Sequence, residues 1–258
     1  MNEIVLSGST KLADIIEAEP RAMWLLPRFG IDLGVGDRTV AQACREKSIQ
    51  VDFFILMVNV FLHPHYFPGT RLRHVDVSLL LRYLAGAHDC YIGEKVPSLQ
   101  SLVGQFLFHL DQPARGQLDK FFRDYIREVI EHIEYEEQVV FPYIESMLRR
   151  LHGPPEHENG EEASTRRALP AREADRRAIE KQGILEFERR HNDIEEKLSD
   201  LKNLLVKYVP PAGDRYLRIR ILRELIELEQ DLTDHARLED KVLIPIVEQL
   251  EKQQQSAG

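Results

Sequence analysis

Thiols are scarce in this 258-residue chain, which has only Cys44 and Cys90. They stand far apart, with no CxxC pair and no zinc-ribbon spacing. That argues against a disulfide framework and a cysteine-rich metal site, and reads as two reduced thiols in a cytoplasmic protein. Basic charge is also short. Lys and Arg number 34 against 43 Asp and Glu, a formal net charge of −9. Phosphate binding needs a basic face, so nucleic acid is not an expected partner. An acidic surface suits solubility and weakly attracts cations. Long apolar runs are missing too. Residues 1–12 lack the basic start and apolar stretch of a secretion signal. The most apolar stretch, Phe53 to Leu62, is about half of the ~20 residues a membrane-spanning helix requires. It reads as a buried helix that could also serve a homodimer contact, and no membrane partner is expected. Strand-like alternation is absent at any useful length, so the fold class is all-α.

What the chain does have is helical period, in three regions. The first, about 1–62, holds short helices. Ser9 or Thr10 is placed to cap a helix through Glu19, and Pro20 to start another carrying Trp24, Leu25 and Leu26. Gly30, Gly34 and Gly36 interrupt the pattern, and a helix pair follows at about 39–47 and 50–62. His63 to Gly69, with Pro64 and Pro68, reads as a connector. The second region, about 74–151, carries two long helices with a turn near Leu110 to Gln112. Asp111 is the expected cap, and Pro97 the expected break or kink. His152 to about Arg177 has no apolar period and reads as a polar linker. Two further helices, about 178–207 and 214–253, are separated by Pro210, Pro211 and Gly213, with Asp214 as a plausible cap. The expected division is a small helical head at 1–65 and a four-helix bundle at 74–253, with the linker at 152–177.

Two segments repeat: His132-Ile-Glu-Tyr-Glu136-Glu-Gln-Val-Val-Phe-Pro142 and His235-Ala-Arg-Leu-Glu239-Asp-Lys-Val-Leu-Ile-Pro245. Each reads HxxxE, then an acid, then apolar residues ending in proline. Positions i and i+4 share a helix face, so each segment aims an imidazole and a carboxylate at one point. His88 precedes His132 by 44 residues, His191 precedes His235 by 44, and the two copies lie 103 apart. Two helix pairs, each giving one His and then one HxxxE, make a pseudo-twofold site.

The apolar stripes put these residues on core seams. They run Leu118, Phe122, Tyr125, Val129, His132, Glu136, Val139, Tyr143 and Ile221, Leu225, Leu228, Leu232, His235, Glu239, Val242, Ile246 on the HxxxE helices. Val77, Leu81, Leu84, His88, Tyr91 and Ile184, Phe187, His191, Ile194, Leu198 surround the other two histidines. Buried carboxylates without partners cost several kcal/mol or protonate. Cations at the same level would supply the compensation. Imidazole suits iron, zinc, copper and nickel, whereas carboxylates bridge hard ions. Two carboxylates leave two ferrous ions with a net positive charge that solvent-derived hydroxide or oxide can offset. A single zinc would not need six ligands, so two irons account for the set better. A ferritin-like carboxylate site needs two ExxH motifs; only Glu188-Arg-Arg-His191 lies near, and the repeat does not reproduce it. Glu195, four residues after His191, is a possible extra ligand.

Blander readings apply elsewhere. Tyr91 and Tyr125 could line a pocket, but core packing suits them better. His63 and His65 form HxH in an exposed connector. His74, His109, His152 and His157 lie near helix ends or in the linker. The acids from Glu134 to Glu137 combine one ligand with a solvated face.

The pattern of paired HxxxE with two spaced histidines resembles the hemerythrin cation-binding domain, over about 74–253. That resemblance implies a hemerythrin-like four-helix bundle. Its six di-iron ligands would match His88, His132, Glu136, His191, His235 and Glu239, with the two glutamates bridging. In the head, Leu12-Ala-Asp-Ile-Ile-Glu-Ala-Glu-Pro-Arg-Ala, Phe29-Gly-Ile-Asp-Leu and Thr39-Val-Ala-Gln-Ala-Cys-Arg-Glu-Lys are similar to the small domain heading the repair of iron centres family. This second resemblance implies a non-haem di-iron protein that restores iron–sulfur clusters under oxidative or nitrosative stress. It also implies O2, NO or peroxide as small ligands and iron–sulfur proteins as clients. One departure is plain: the family's vicinal cysteine pair falls here on Gly34 and Val35, so dithiol chemistry does not carry over. That leaves open whether the chain is an enzyme. It keeps a diatomic-gas or iron sensor or carrier as the alternative, and a metal-free interaction bundle as a third reading.

Overall fold

The computed structural model describes residues 6–69, 72, 75–152, 177–179, 181, 183, 184, 187, 193–211 and 215–257. Within them the chain is all-α. Its helices are α1 (Leu12–Ala18), α2 (Ala22–Leu25), α3 (Val40–Glu46), α4 (Val51–Leu62), α5 (Val77–Cys90), α6 (Val96–Leu107), α7 (Ala114–Tyr135), α8 (Phe141–His152), α9 (Asp193–Asn203), α10 (Arg215–Leu238) and α11 (Ile244–Ala257). Asp214 and most of the polar linker lie outside the described residues. Among the described residues no helix is long and apolar enough to cross a membrane.

Pro97 does not break its helix. A π turn, Tyr91–Lys95, joins α5 to α6, and similar turns at Glu136–Val140, Leu204–Tyr208 and Glu239–Leu243 follow α7, α9 and α10. Each turn ends the same way. The amides of Val96, Phe141, Val209 and Ile244 donate to the carbonyls of Tyr91, Glu136, Leu204 and Glu239, and the next residue is Pro97, Pro142, Pro210 or Pro245. A proline ring clashes with the carbonyl four residues back and offers no N–H. Bonding five residues apart opens the turn ahead of the ring, so three of these helices run on past it.

The chain forms two compact units. One comprises residues 1–87 with 234–246, and the other 88–233 with 247–258. In the first, Thr39 caps α3 through a reciprocal box with Gln42. The expected side-chain cap of α1 by Ser9 or Thr10 is not made. Backbone pairing replaces it: Leu12 N–H donates to the Arg38 carbonyl (3.0 Å) and Val40 N–H to the Thr10 carbonyl (2.9 Å). A 3-10 turn, Leu26–Phe29, closes on Gly30 at φ 66°, where Ile31 N–H reaches the Leu26 carbonyl. That left-handed cap suits glycine, which has no Cβ to clash.

Phe29 then sits 5.0 Å, centroid to centroid, from both Phe54 and Tyr83. The apolar stretch of α4 is buried almost throughout, from Phe53 to Leu62. It serves this unit's own core, so a homodimer contact through it would require the unit to open.

The same unit holds a buried charge. Asp234 is 1 % exposed and receives Arg21 at 3.2 Å and Arg237 at 2.6 Å. Both arginines also donate to the end of α4, Arg21 to the Leu62 carbonyl and Arg237 to the Phe61 carbonyl. Two guanidinium groups thus neutralise one aspartate and satisfy carbonyls that helix termination leaves unpaired.

In the second unit Asp231 is buried against Lys95 at 2.8 Å, and its carbonyl accepts the hydroxyl of fully buried Tyr91. Tyr125 is likewise buried, and both tyrosines are core residues. Leu232, expected on the core seam, is only half-buried; the neighbouring Asp231 and Asp234 take buried positions because each has a cation.

Asp234→Ala should therefore cost roughly 3 kcal/mol, since it strands buried guanidinium charge. Arg21→Ala, from the more exposed partner, should cost about 1 kcal/mol. Urea midpoints at unchanged slope will measure both; equal small losses would show that the pairing is not buried in effect.

Candidate metal centre

The π turns bear directly on the repeated motif. Two of them begin at Glu136 and Glu239, the residues 103 apart that close the two HxxxE segments. Pi turns recur at functional sites because they re-aim side chains within an otherwise regular helix.

In the second unit Glu136 is fully buried, and its two oxygens face different histidines. Oε2 lies 2.8 Å from His88 Nε2 and Oε1 lies 2.6 Å from His132 Nε2. His132 reaches it from one turn back on α7, as the i, i+4 spacing requires. His88 comes from α5. Both rings have a near-parallel aromatic neighbour, Phe141 for His88 (centroids 5.7 Å apart, 6°) and Phe187 for His132 (6.4 Å, 20°). The second nitrogen of His88, Nδ1, is 3.1 Å from Glu137 Oε1. Glu137 is only 22 % exposed, which corrects its expected place on a solvated face. In an α-helix, neighbouring residues point well apart. A turn that takes an extra residue narrows that angle and brings Glu137 round beside Glu136. The acid that follows the glutamate in both HxxxE segments was the available signal.

In the first unit His235 Nε2 lies 3.3 Å from Glu239 Oε1, and both residues are buried. His235 follows the clamped Asp234 directly, so the Arg21 and Arg237 pairs also fix the start of this segment. His191 lies outside the described residues, as do His74 and His157 and the side chains of His152 and Glu195. Ile184, Phe187 and Leu198 of its stripe are buried. His65 and His109 are exposed.

Within the second unit His88, His132 and Glu136 bring two imidazoles and a carboxylate together, a group able to hold a metal ion. The donor set fits iron by type. It is imidazole nitrogen and carboxylate oxygen with no thiolate, and Glu136 offers one oxygen toward each of two imidazoles.

No family model matches the chain. It is 20% identical over 243 residues to the "Iron-sulfur cluster repair protein ScdA" of Staphylococcus haemolyticus, a match covering 93% of this chain and 98% of that protein. The similarity thus extends over nearly the whole length of both chains.

Thiol chemistry is poorly served by the N-terminal helices. Cys44 is fully buried, and burial pushes its thiol up to about 11, so it stays protonated and inert at neutral pH. Gly34 and Gly36 both take left-handed backbone, with φ of 89° and 56°, and Leu33 beside them is 60% exposed. Titration of the native protein with a thiol reagent at pH 8 should find at most one reactive cysteine. The Cys44 thiol should appear only on unfolding; two rapid equivalents in the folded protein would contradict this.

Proposed function

We propose that this chain is a non-haem di-iron protein that acts in repair or protection of iron–sulfur centres under oxidative or nitrosative stress. Its ligands are His88, His132, Glu136, His191, His235 and Glu239, with Glu136 and Glu239 bridging. The long helical runs after the head, 77–107, 114–152, the run ending at 208, and 215–257, make its four-helix bundle at 74–253. The head occupies 1–65. The observation that carries the reading is Glu136, fully buried, with one oxygen 2.8 Å from His88 Nε2 and the other 2.6 Å from His132 Nε2. Further support comes from a relative named for iron–sulfur cluster repair that matches almost end to end.

Bound iron would supply a redox centre with open positions for O2, NO or peroxide. The chain's own part is to hold and shield it. Phe141 and Phe187 lie near-parallel to the imidazoles, burial keeps bulk water from the carboxylates, and the buried charge of Glu136 favours cations over a vacant core. Iron–sulfur proteins are the clients, and the protein acts in the cytoplasm.

One observation favours a second reading. With Gly34 and Val35 at the cysteine-pair positions and Cys44 buried, the head lacks a dithiol for transfer or exchange. A gas or iron sensor, or a carrier without turnover, needs none. Sustained consumption of NO or O2 marks the repair or protective enzyme; reversible spectral change alone marks the sensor.

Protein purified anaerobically from iron-replete cells should hold about two irons per chain, and His132→Ala should lose most of them. An iron-free wild-type protein, together with unaltered metal binding in His132→Ala, would overturn the proposal.

A further inference from the structure

We propose that Glu137 is a positioning residue for the metal centre: it accepts the Nδ1–H of His88 and so leaves Nε2 as the metal-binding nitrogen. The inference rests on His88 being a ligand, as argued above, and goes further in assigning the residue that sets its tautomer.

The geometry carries it. A neutral imidazole has one N–H and one lone pair. The two nitrogens of His88 face two different carboxylates, Nε2 at 2.8 Å from Glu136 and Nδ1 at 3.1 Å from Glu137. His88 is fully buried and Phe141 lies parallel to its ring at 6°, so a ring flip would have to displace packed neighbours. A proton on Nδ1 gives Glu137 its hydrogen bond and turns the Nε2 lone pair toward the Glu136 side. That is the tautomer a metal ligand needs, and a carboxylate behind the ring makes the bound nitrogen more basic. The alternative proton position would leave Glu137 facing a lone pair and would close Nε2 to metal. Glu137 reaches the ring from within the Glu136–Val140 π turn, immediately after the glutamate that faces the other nitrogen. The π turn therefore carries both groups that address His88.

The test is a competition titration of ferrous iron against a chelator, on the full chain, for wild type, E137L, E137Q and E134Q. Leucine matches the bulk of Glu137 without an acceptor, whereas the glutamine amide oxygen can still accept the Nδ1–H. E137L should bind iron on the order of 10–100-fold more weakly, E137Q should recover most of that loss, and E134Q should match wild type. In the diferrous protein, E137L should also lose one exchangeable, paramagnetically shifted imidazole N–H resonance that E137Q keeps. E137A replaces E137L if the leucine variant does not fold. Wild-type affinity in E137L, or equal losses in E137L and E137Q, would overturn the proposal. H88A separates it from the parent reading. If wild-type protein binds no iron, both fall. If H88A abolishes binding while E137L is unaltered, only the role of Glu137 falls.

Discussion

A carboxylate buried beyond the reach of water is the constraint around which this protein is arranged. Glu136 is fully enclosed, and an ionised carboxylate in such a place costs several kcal/mol unless opposite charge or donors meet it. The chain answers each such burial locally. Asp234 receives two guanidinium groups and Asp231 an ammonium. Glu136 instead receives two imidazoles, which are weak cations at neutral pH but good metal ligands. That difference sets Glu136 apart from the acids paired with arginine or lysine and makes it the carboxylate of the candidate site.

Proline supplies the second device. Pro142 and Pro245 stand six residues after their glutamates, and at both places the helix accommodates the ring by opening one turn. The opened turn begins at the glutamate itself. A residue with no chemistry of its own thereby decides where a carboxylate points and, in the first repeat, brings Glu137 to the far side of His88. Pro97 and Pro210 produce the same turn, so the local cause is proline, whatever the position is used for.

Much of this was legible in the residues. The short helices up to Leu62, the long runs after them and the burial of Val77, Leu84, Phe122, Ile221 and Val242 follow from apolar spacing, because burial is what that period encodes. The HxxxE geometry follows from the rise of the helix. What was not legible has identifiable reasons. The α1 cap went to backbone pairing with residues 38–40, a contact between distant segments that local propensity cannot show. Leu232 gave way to Asp231 and Asp234 because their partners lie far off in sequence, at Lys95 and Arg21. Glu137 was misplaced because α-helical angles do not hold in a π turn, although the prolines that force those turns were in view.

The central claim is that Glu136 sits between metal ions and does not merely pair with protonated histidines. Anomalous diffraction at the iron edge from crystals of the iron-loaded chain tests it most directly. The account predicts two adjacent iron peaks, with a Glu136 oxygen directed at each. A single peak, or iron only on surface carboxylates with Glu136 still in direct contact with His88 and His132, would contradict it.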